Sequence, residues 1–308
     1  MPIRSKIKPT LWVATATLAV GVLAGCGSPS ASVVATYNGG TITQTQMDTQ
    51  VNLMKLLYPT LSVTNAIKTQ ILDEYIVYDR LLVNKAQQAG IKVPQSQVNN
   101  VVLQWKQSEI SQGFSGNSQS FDAKLQTLKL TNTDIANLVQ NQLMLQAYAK
   151  TLVKTIPLSQ QTQYYQQNLA QFATVTERHI LTKSLPLAQK LQKELQNGGS
   201  WKILAKEYSQ DTGSKNNGGE YVNQNPTQWV TPFKDHAMTQ PIGQIGAPFN
   251  TTYGYFVMQV LKRTVAPFKQ EQSTILSTLT QQQESTAMSA VAAQIQKAAN
   301  IKVTLPTA

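Results

Sequence analysis

The sequence has a single cysteine, Cys26, and only two histidines, His179 and His236. One cysteine cannot form a disulfide within the chain, and so few histidines disfavour a zinc site. We therefore expect neither a metal nor a cofactor. Charged residues make up only 13% of the chain, about half of the usual share. No cluster of Lys and Arg marks a nucleic-acid-binding stripe, so we expect no nucleic acid partner.

The charge that is present is mostly positive, with a formal net charge of +11 at pH 7. Three of the basic residues, Arg4, Lys6 and Lys8, lie within the first eight positions. A positive balance suits contact with an anionic cell-envelope polymer, and diffuse solubilising charge is the other interpretation. With 308 residues, 41% of them hydrophobic, the chain can form two or three domains with real cores.

The first 25 residues have the pattern of a targeting segment. An apolar stretch from residue 11 to 23 follows the basic residues and is shorter than the ~20 residues that a membrane span needs. Leu23-Ala24-Gly25-Cys26 then resembles the lipoprotein box of bacterial lipoproteins. The resemblance implies cleavage before Cys26, acylation of Cys26 and anchoring to the outer face of a Gram-positive-type cell membrane. An uncleaved anchor or an ordinary signal peptide are the alternatives. Residues 26–32 are predicted to be a tether.

Residues 33–173 are predicted to form a mainly helical domain. A short β-type run from Val33 to Tyr37 precedes Asn38-Gly39, which is a strong tight-turn signal. Thr43 and Gln46 then form a capping-box pattern that begins a helix. Apolar residues at helical spacing continue the pattern. The predicted helices cover residues 43–57, 63–89, 94–111, 121–128 and 131–155, with a further one extending to about residue 172.

The pattern changes at residue 174 and returns to helix after residue 264. Residues 176–182 alternate as in a β-strand, and further strands are predicted at 245–249 and 255–262. Short helices are predicted at 186–196, at 201–208 and after Pro232. The last segment, 265–308, carries a helix whose apolar stripe should pack back on the N-terminal domain. The predicted fold class is α+β, a small sheet module over 174–264 inserted into a split all-α domain.

Five short motifs within residues 174–264 resemble the parvulin-type peptidyl-prolyl isomerases. They are Arg178-His179-Ile180-Leu181, Leu204-Ala205-Lys206-Glu207-Tyr208-Ser209-Gln210-Asp211, Gly218-Gly219-Glu220, the pair Trp229 and Phe233, and Tyr253-Gly254-Tyr255-Phe256-Val257-Met258. Each motif is weak by itself, but their order and spacing make the match specific. The whole layout resembles the PrsA-type extracytoplasmic foldases, lipoproteins whose helical chaperone domain is split around a parvulin domain.

The resemblance implies a chemistry that needs no nucleophile. Rotation about a peptide bond has a barrier of ~18–20 kcal/mol, and a dry pocket with polar groups that favour the twisted amide can lower it. The family pattern assigns His179, Asp211 and Thr251 to the catalytic network. It assigns Trp229, Phe233, Phe256 and Tyr221 to the substrate pocket. His236 has no family role and is expected at the surface or at a helix end.

One departure from the family concerns Phe256, which stands where many parvulins have a second histidine. A phenyl ring cannot form hydrogen bonds, so we expect His179 to lack one partner and the isomerase rate to be reduced. The predicted function is therefore an anchored foldase that binds unfolded or newly secreted proteins and isomerises X-Pro bonds. A non-catalytic holdase with a degenerate parvulin domain is the alternative. A solute-binding lipoprotein is a remote one, because repeated βα units are lacking. A homodimer is left open.

Overall fold

The computed structural model describes residues 32–305. The predicted signal peptide, Cys26 and most of the tether lie outside the described residues. The chain divides into two compact units. The first contains the described residues up to Lys154 together with those from Gln281 onward, and the second is Thr155–Thr280. The predicted boundaries at residues 174 and 264 stay predictions.

The described residues form the following helices and strands. In chain order they are β1 (Val33–Tyr37), β2 (Gly40–Thr43), α1 (Gln44–Leu57), α2 (Asn65–Glu74), a π-helix (Tyr75–Leu82), α3 (Val83–Gln88), α4 (Gln95–Gly113), α5 (Ser118–Thr127), α6 (Asn132–Leu152), α7 (Leu158–Gln167), β3 (Ala173–Thr182), α8 (Leu185–Gln196), α9 (Trp201–Tyr208), β4 (Glu220–Gln224), α10 (Thr231–Thr239), β5 (Phe249–Thr251), β6 (Gly254–Val265), α11 (Phe268–Ala299) and β7 (Lys302–Val303). The predicted mixture of helices with small antiparallel sheets is confirmed.

The first unit is helical apart from a small antiparallel sheet with strand order β2-β1-β7. The predicted capping box at Thr43 and Gln46 begins α1. The second half of α11 contributes Met288 to a core with Leu82 and Leu145. Two features differ from the prediction. The helix predicted over 63–89 contains a π-helical segment, and the two-residue strand β7 completes the sheet. A strand this short has no sequence periodicity, so only its pairing with β1 reveals it.

The second unit is built on an antiparallel sheet with strand order β4-β3-β6-β5. Helices α8 and α9 cover one face, where Ile180 and Val257 are buried. Helix α10 covers the other face, where Val175, Leu181 and Phe256 pack around Phe233. Alternate residues of a strand point to opposite faces. The odd-numbered residues of β3 therefore point toward α10.

Two strand predictions in the second unit need correction. Residues 245–249 were predicted as a strand, but Ile245 makes only an isolated bridge with Gln259, and the strand β5 begins at Phe249. The strand β4 was not predicted. It is polar and mostly exposed, and Asn223 within it has a positive φ of 50°. Neither property gives the apolar alternation that identifies a strand from sequence.

Candidate active site

Strand β3 places two ionisable side chains on the face that points toward α10. His179 is 2% exposed and Glu177 is fully buried. The two residues are separated by one position, so their side chains project from the same face of the strand. Both carboxylate oxygens of Glu177 lie 3.2 Å from Nδ1 of His179. The Nδ1 side of the histidine ring is therefore held by a buried carboxyl group.

A second carboxylate reaches His179 from the loop after α9. Oδ2 of Asp211 lies 3.2 Å from Nε2 of His179. The same oxygen accepts hydrogen bonds from Ser214 and, at 3.1 Å, from the hydroxyl of Tyr221. The backbone N–H of Gly213 donates to Oδ1 at 3.2 Å. Asp211 is thus fixed by four neighbours, and 21% of its side chain remains exposed.

These contacts shift the proton affinities of the network. Burial lowers the pKa of His179, but the hydrogen bonds to Asp211 and Glu177 outweigh it and raise the pKa to about 9. The hydrogen bond from His179 holds the pKa of Asp211 well below its usual range. Burial, followed by the charge of Asp211, raises the pKa of Tyr221 to about 12. At neutral pH the centre of the site is an imidazolium bonded to an ionised Asp211.

The raised pKa of His179 links folding to pH. Its folded pKa of about 9 lies above the ~6.5 of an exposed histidine, so the folded state binds this proton more tightly. The stabilisation is complete below about pH 6.5 and is lost as the pH rises through about 9. Asp211 behaves in the opposite sense: its lowered pKa stabilises the fold above about pH 4 and the effect is lost in acid.

Aromatic rings form a wall beside the imidazole. The ring centroids of Phe233 and Phe256 each lie 5.2 Å from that of His179, both edge to face. Tyr221 lies 5.4 Å away. Trp229 packs on Phe233 at 5.0 Å. Trp229 and Tyr221 are half-buried while Phe233 and Phe256 are buried, so the wall has an apolar base and an accessible rim.

The structure brings together six of the seven predicted site residues that it describes, and Thr251 is the exception. Its hydroxyl donates to the carbonyl oxygen of Gly254 at 3.3 Å and accepts from the N–H of Tyr253 at 3.0 Å. The hydroxyl is therefore used within the turn between β5 and β6. The expected link between Thr251 and the histidine network is not formed in this structure.

The expectation drawn from Phe256 also needs correction. Phe256 does lie beside His179, but both ring nitrogens of His179 have carboxylate partners. The phenyl ring therefore leaves no imidazole nitrogen unpaired. The sequence interpretation missed Glu177 and Ser214. The spacing Glu-x-His on a predicted strand was the available signal for Glu177, whereas nothing local marks Ser214, since it reaches Asp211 through a loop.

The second histidine lies apart from this network. His236 is in the last turn of α10, is half-buried and stacks on Phe249 with centroids 3.9 Å apart. Among residues 32–305, no group of three or more His, Cys, Asp or Glu could hold a metal ion. Within the same range, no helix is long and apolar enough to cross a membrane.

Comparison with known proteins finds two family models that match parts of this chain. Residues 138–264 match the PPIC-type PPIASE domain, and residues 2–128 match the SurA-like N-terminal domain. The foldase protein PrsA of Clostridium botulinum is 27% identical over 210 residues, which is 66% of this chain and 62% of that protein. The foldase protein PrsA 3 of Bacillus anthracis is 36% identical over 124 residues, covering 36% and 44%. Both alignments span less than two thirds of the relative.

A solved structure supports the fold independently. The crystal structure of a peptidylprolyl isomerase (PrsA) from Bacillus cereus is similar with a TM-score of 0.50 and 22% identity, and the match covers 90% of this chain and 95% of that one. The PPIC-type match contains His179 and the aromatic wall, so this part of the chain is similar to the parvulin-type peptidyl-prolyl cis-trans isomerase domains. Together with the SurA-like match, it makes the chain similar to the PrsA-type foldases.

Proposed function

We propose that this chain binds unfolded secreted proteins outside the cytoplasm and isomerises their X-Pro bonds at the pocket beside His179. The observation that carries this proposal is the position of Asp211. It is the carboxylate of the network that remains partly exposed, and it adjoins the aromatic wall. A proline ring can pack on Trp229 and Phe233 while the amide that precedes it lies near this carboxylate.

The physical basis is electrostatic. Conjugation in a planar amide places negative charge on its oxygen and gives the C–N bond its double-bond character. A fixed carboxylate close to that oxygen disfavours the charge-separated form, so it lowers the energy of the twisted amide relative to the planar one. The surrounding rings exclude water and strengthen this effect. Both ring nitrogens of His179 have a carboxylate partner, so a phenyl ring at Phe256 does not deprive the histidine of a hydrogen bond. Phe256 is therefore assigned to the aromatic wall, and it gives no reason to expect a slow isomerase rate.

Asp211→Asn tests this function because it removes the charge while keeping the shape. Losing one charge-assisted interaction of about 1–3 kcal/mol corresponds to a fall in kcat/KM of about 5- to 150-fold. The measurement is a protease-coupled assay with an X-Pro peptide. Asp235→Asn is the matched control, because Asp235 lies on α10 of the same unit and its side chain is 61% exposed. A folded Asp211→Asn protein with the wild-type rate would contradict the proposal.

A second function, chaperoning by the first unit, is favoured by a cavity of about 370 Å³. Apolar side chains line most of it, including Met54, Leu61, Ile67 and Ile71. A cavity of this size and character can accept an apolar side chain of an unfolded protein. If the chain is a holdase without catalysis, Asp211→Asn will leave its suppression of aggregation unchanged, and the wild-type protein will show no isomerase activity in the peptide assay.

We also propose that Cys26 carries a lipid anchor. It is the only cysteine and directly follows Leu23-Ala24-Gly25. Cys26→Ala is expected to abolish incorporation of radiolabelled palmitate and to release the protein into the medium or leave an uncleaved precursor. Because the chain has no other thiol, palmitate that remains on the Cys26→Ala protein would show that the anchor is attached elsewhere.

A further inference from the structure

Glu177 occupies a position where an ionisable side chain is unfavourable. It is fully buried, on the sheet face shared with Val175 and Leu181. Burying a carboxylate carries a large desolvation penalty, and a well-packed apolar residue avoids it. Burial correspondingly raises the pKa of Glu177, although its hydrogen bond with His179 opposes this rise. A polar group in such a place needs a partner that repays its desolvation.

The strands on both sides of β3 are irregular at this position. The pairing of β3 with β6 shifts register between Thr176 and Glu177, and its pairing with β4 shifts between Val175 and Glu177. After the shifts, Glu177 lies opposite Tyr221 on β4 and Val260 on β6. Bulges of this kind bend a strand and re-aim side chains next to active sites. Here they set Tyr221, whose hydroxyl reaches Asp211, across from Glu177.

We infer that Glu177 is a positioning residue that fixes the protonation and ring orientation of His179, so that Nε2 faces Asp211. The inference rests on the proposed isomerase function for its consequence in catalysis. Both carboxylate oxygens of Glu177 accept from Nδ1–H of His179 at the same distance, which fixes the orientation of the imidazole ring. Nε2–H is then directed at Oδ2 of Asp211. Glu177 thus acts on the exposed carboxylate through the histidine, without contacting the substrate.

The groups that face His179 come from each element packed against it. Glu177 lies on its own strand, Asp211 and Ser214 follow α9, and Tyr221 lies on β4. The residues facing it from α10 and β6, Phe233 and Phe256, do not titrate. Glu220 acts on Glu177 only through its charge. Of these groups, Glu177 and Asp211 are the two anions bonded to the ring. Removing either one should therefore lower the proton affinity of His179.

The test is an NMR titration of the full chain labelled on histidine. The chain has two histidines, so two sets of ring signals are expected, and His236→Gln assigns them. In Glu177→Gln the amide keeps the size of the side chain but removes its charge. The acid dissociation constant of His179 is expected to rise by about tenfold or more. Glu220→Gln is the control, because it removes a nearby charge that is not bonded to the ring.

The outcomes separate this inference from the proposed function. A higher dissociation constant and a lower kcat/KM in Glu177→Gln, with Glu220→Gln unchanged, would support it. An unchanged titration of His179 would overturn it, as would a wild-type rate in a variant whose titration has shifted. Glu177→Asp keeps the charge on a shorter side chain, so its dissociation constant for His179 and its kcat/KM should lie between those of the wild type and Glu177→Gln. If Glu177→Gln does not fold, Glu177→Asp is compared with the wild type in its place. An inactive wild-type protein would refute the isomerase function, while the titration would still decide what holds His179.

Discussion

The His179→Ala variant is expected to lose isomerase activity by about 100-fold or more and to unfold more easily by about 3–5 kcal/mol. The large effect on stability follows from the two carboxylates that the imidazole joins. Without it, Glu177 stays buried with no partner for its charge, and Asp211 loses the bond that most lowers its pKa. Removing one member of a buried ionic network leaves the others desolvated and unpaired. A purely catalytic histidine would show only the first effect.

His236→Ala supplies the matched control for this prediction. Both histidines lie in the second unit, but His236 is half-buried and stacks on Phe249. Its removal should cost about 1 kcal/mol or less and leave the rate unchanged. Urea unfolding followed through the remaining histidine signal reports on the second unit alone. If His179→Ala is as stable as His236→Ala, the network does not hold the fold.

Gly219→Ala is expected to destabilise the second unit by about 3 kcal/mol and to lower the isomerase rate with it. Gly219 has a φ of +81°, and a Cβ there would overlap the carbonyl oxygen of His179 and lie 3.0 Å from its carbonyl carbon. The backbone of Gly219 also accepts the N–H of His179 and donates to Ser214. The methyl group would therefore push β4 away from β3 beside His179.

Gly198→Ala separates this overlap from the strain of the backbone conformation. Gly198 lies in the same unit with a φ of +93°, but a Cβ there meets nothing within 4 Å. This variant should lose only the stability that a left-handed backbone conformation costs a residue with a Cβ, about 1–2 kcal/mol, and it should keep the wild-type isomerase rate. The difference between the two variants measures the contact with His179. Equal losses in stability and rate would show that the close approach of Gly219 to His179 is unimportant.

Much of the fold could be predicted because it depends on local periodicity. The helix after Thr43 follows from its capping box, and the strand carrying His179 follows from alternation. The aromatic wall could also be predicted, since Trp229, Phe233 and Phe256 fall at the spacing of a known family. Two strands could not be predicted from local patterns, because β4 is a polar edge strand and β7 has only two residues. These form only because a neighbouring strand presents unpaired backbone groups to them.

From the sequence, the resemblance to the parvulins predicted that a histidine, an aspartate and a set of aromatic rings share one candidate pocket. Which of their atoms come into contact depends on the tertiary structure. His179 and Asp211 are 32 residues apart, and their 3.2 Å contact depends on a loop that Ser209 and Gly213 hold in place. In the same packed unit, the hydroxyl of Thr251 bonds within the turn between β5 and β6, and Nδ1 of His179 bonds to Glu177. The reason is physical: spacing along the chain determines the face from which a side chain projects, whereas its hydrogen-bond partner depends on which distant backbone is packed against that face.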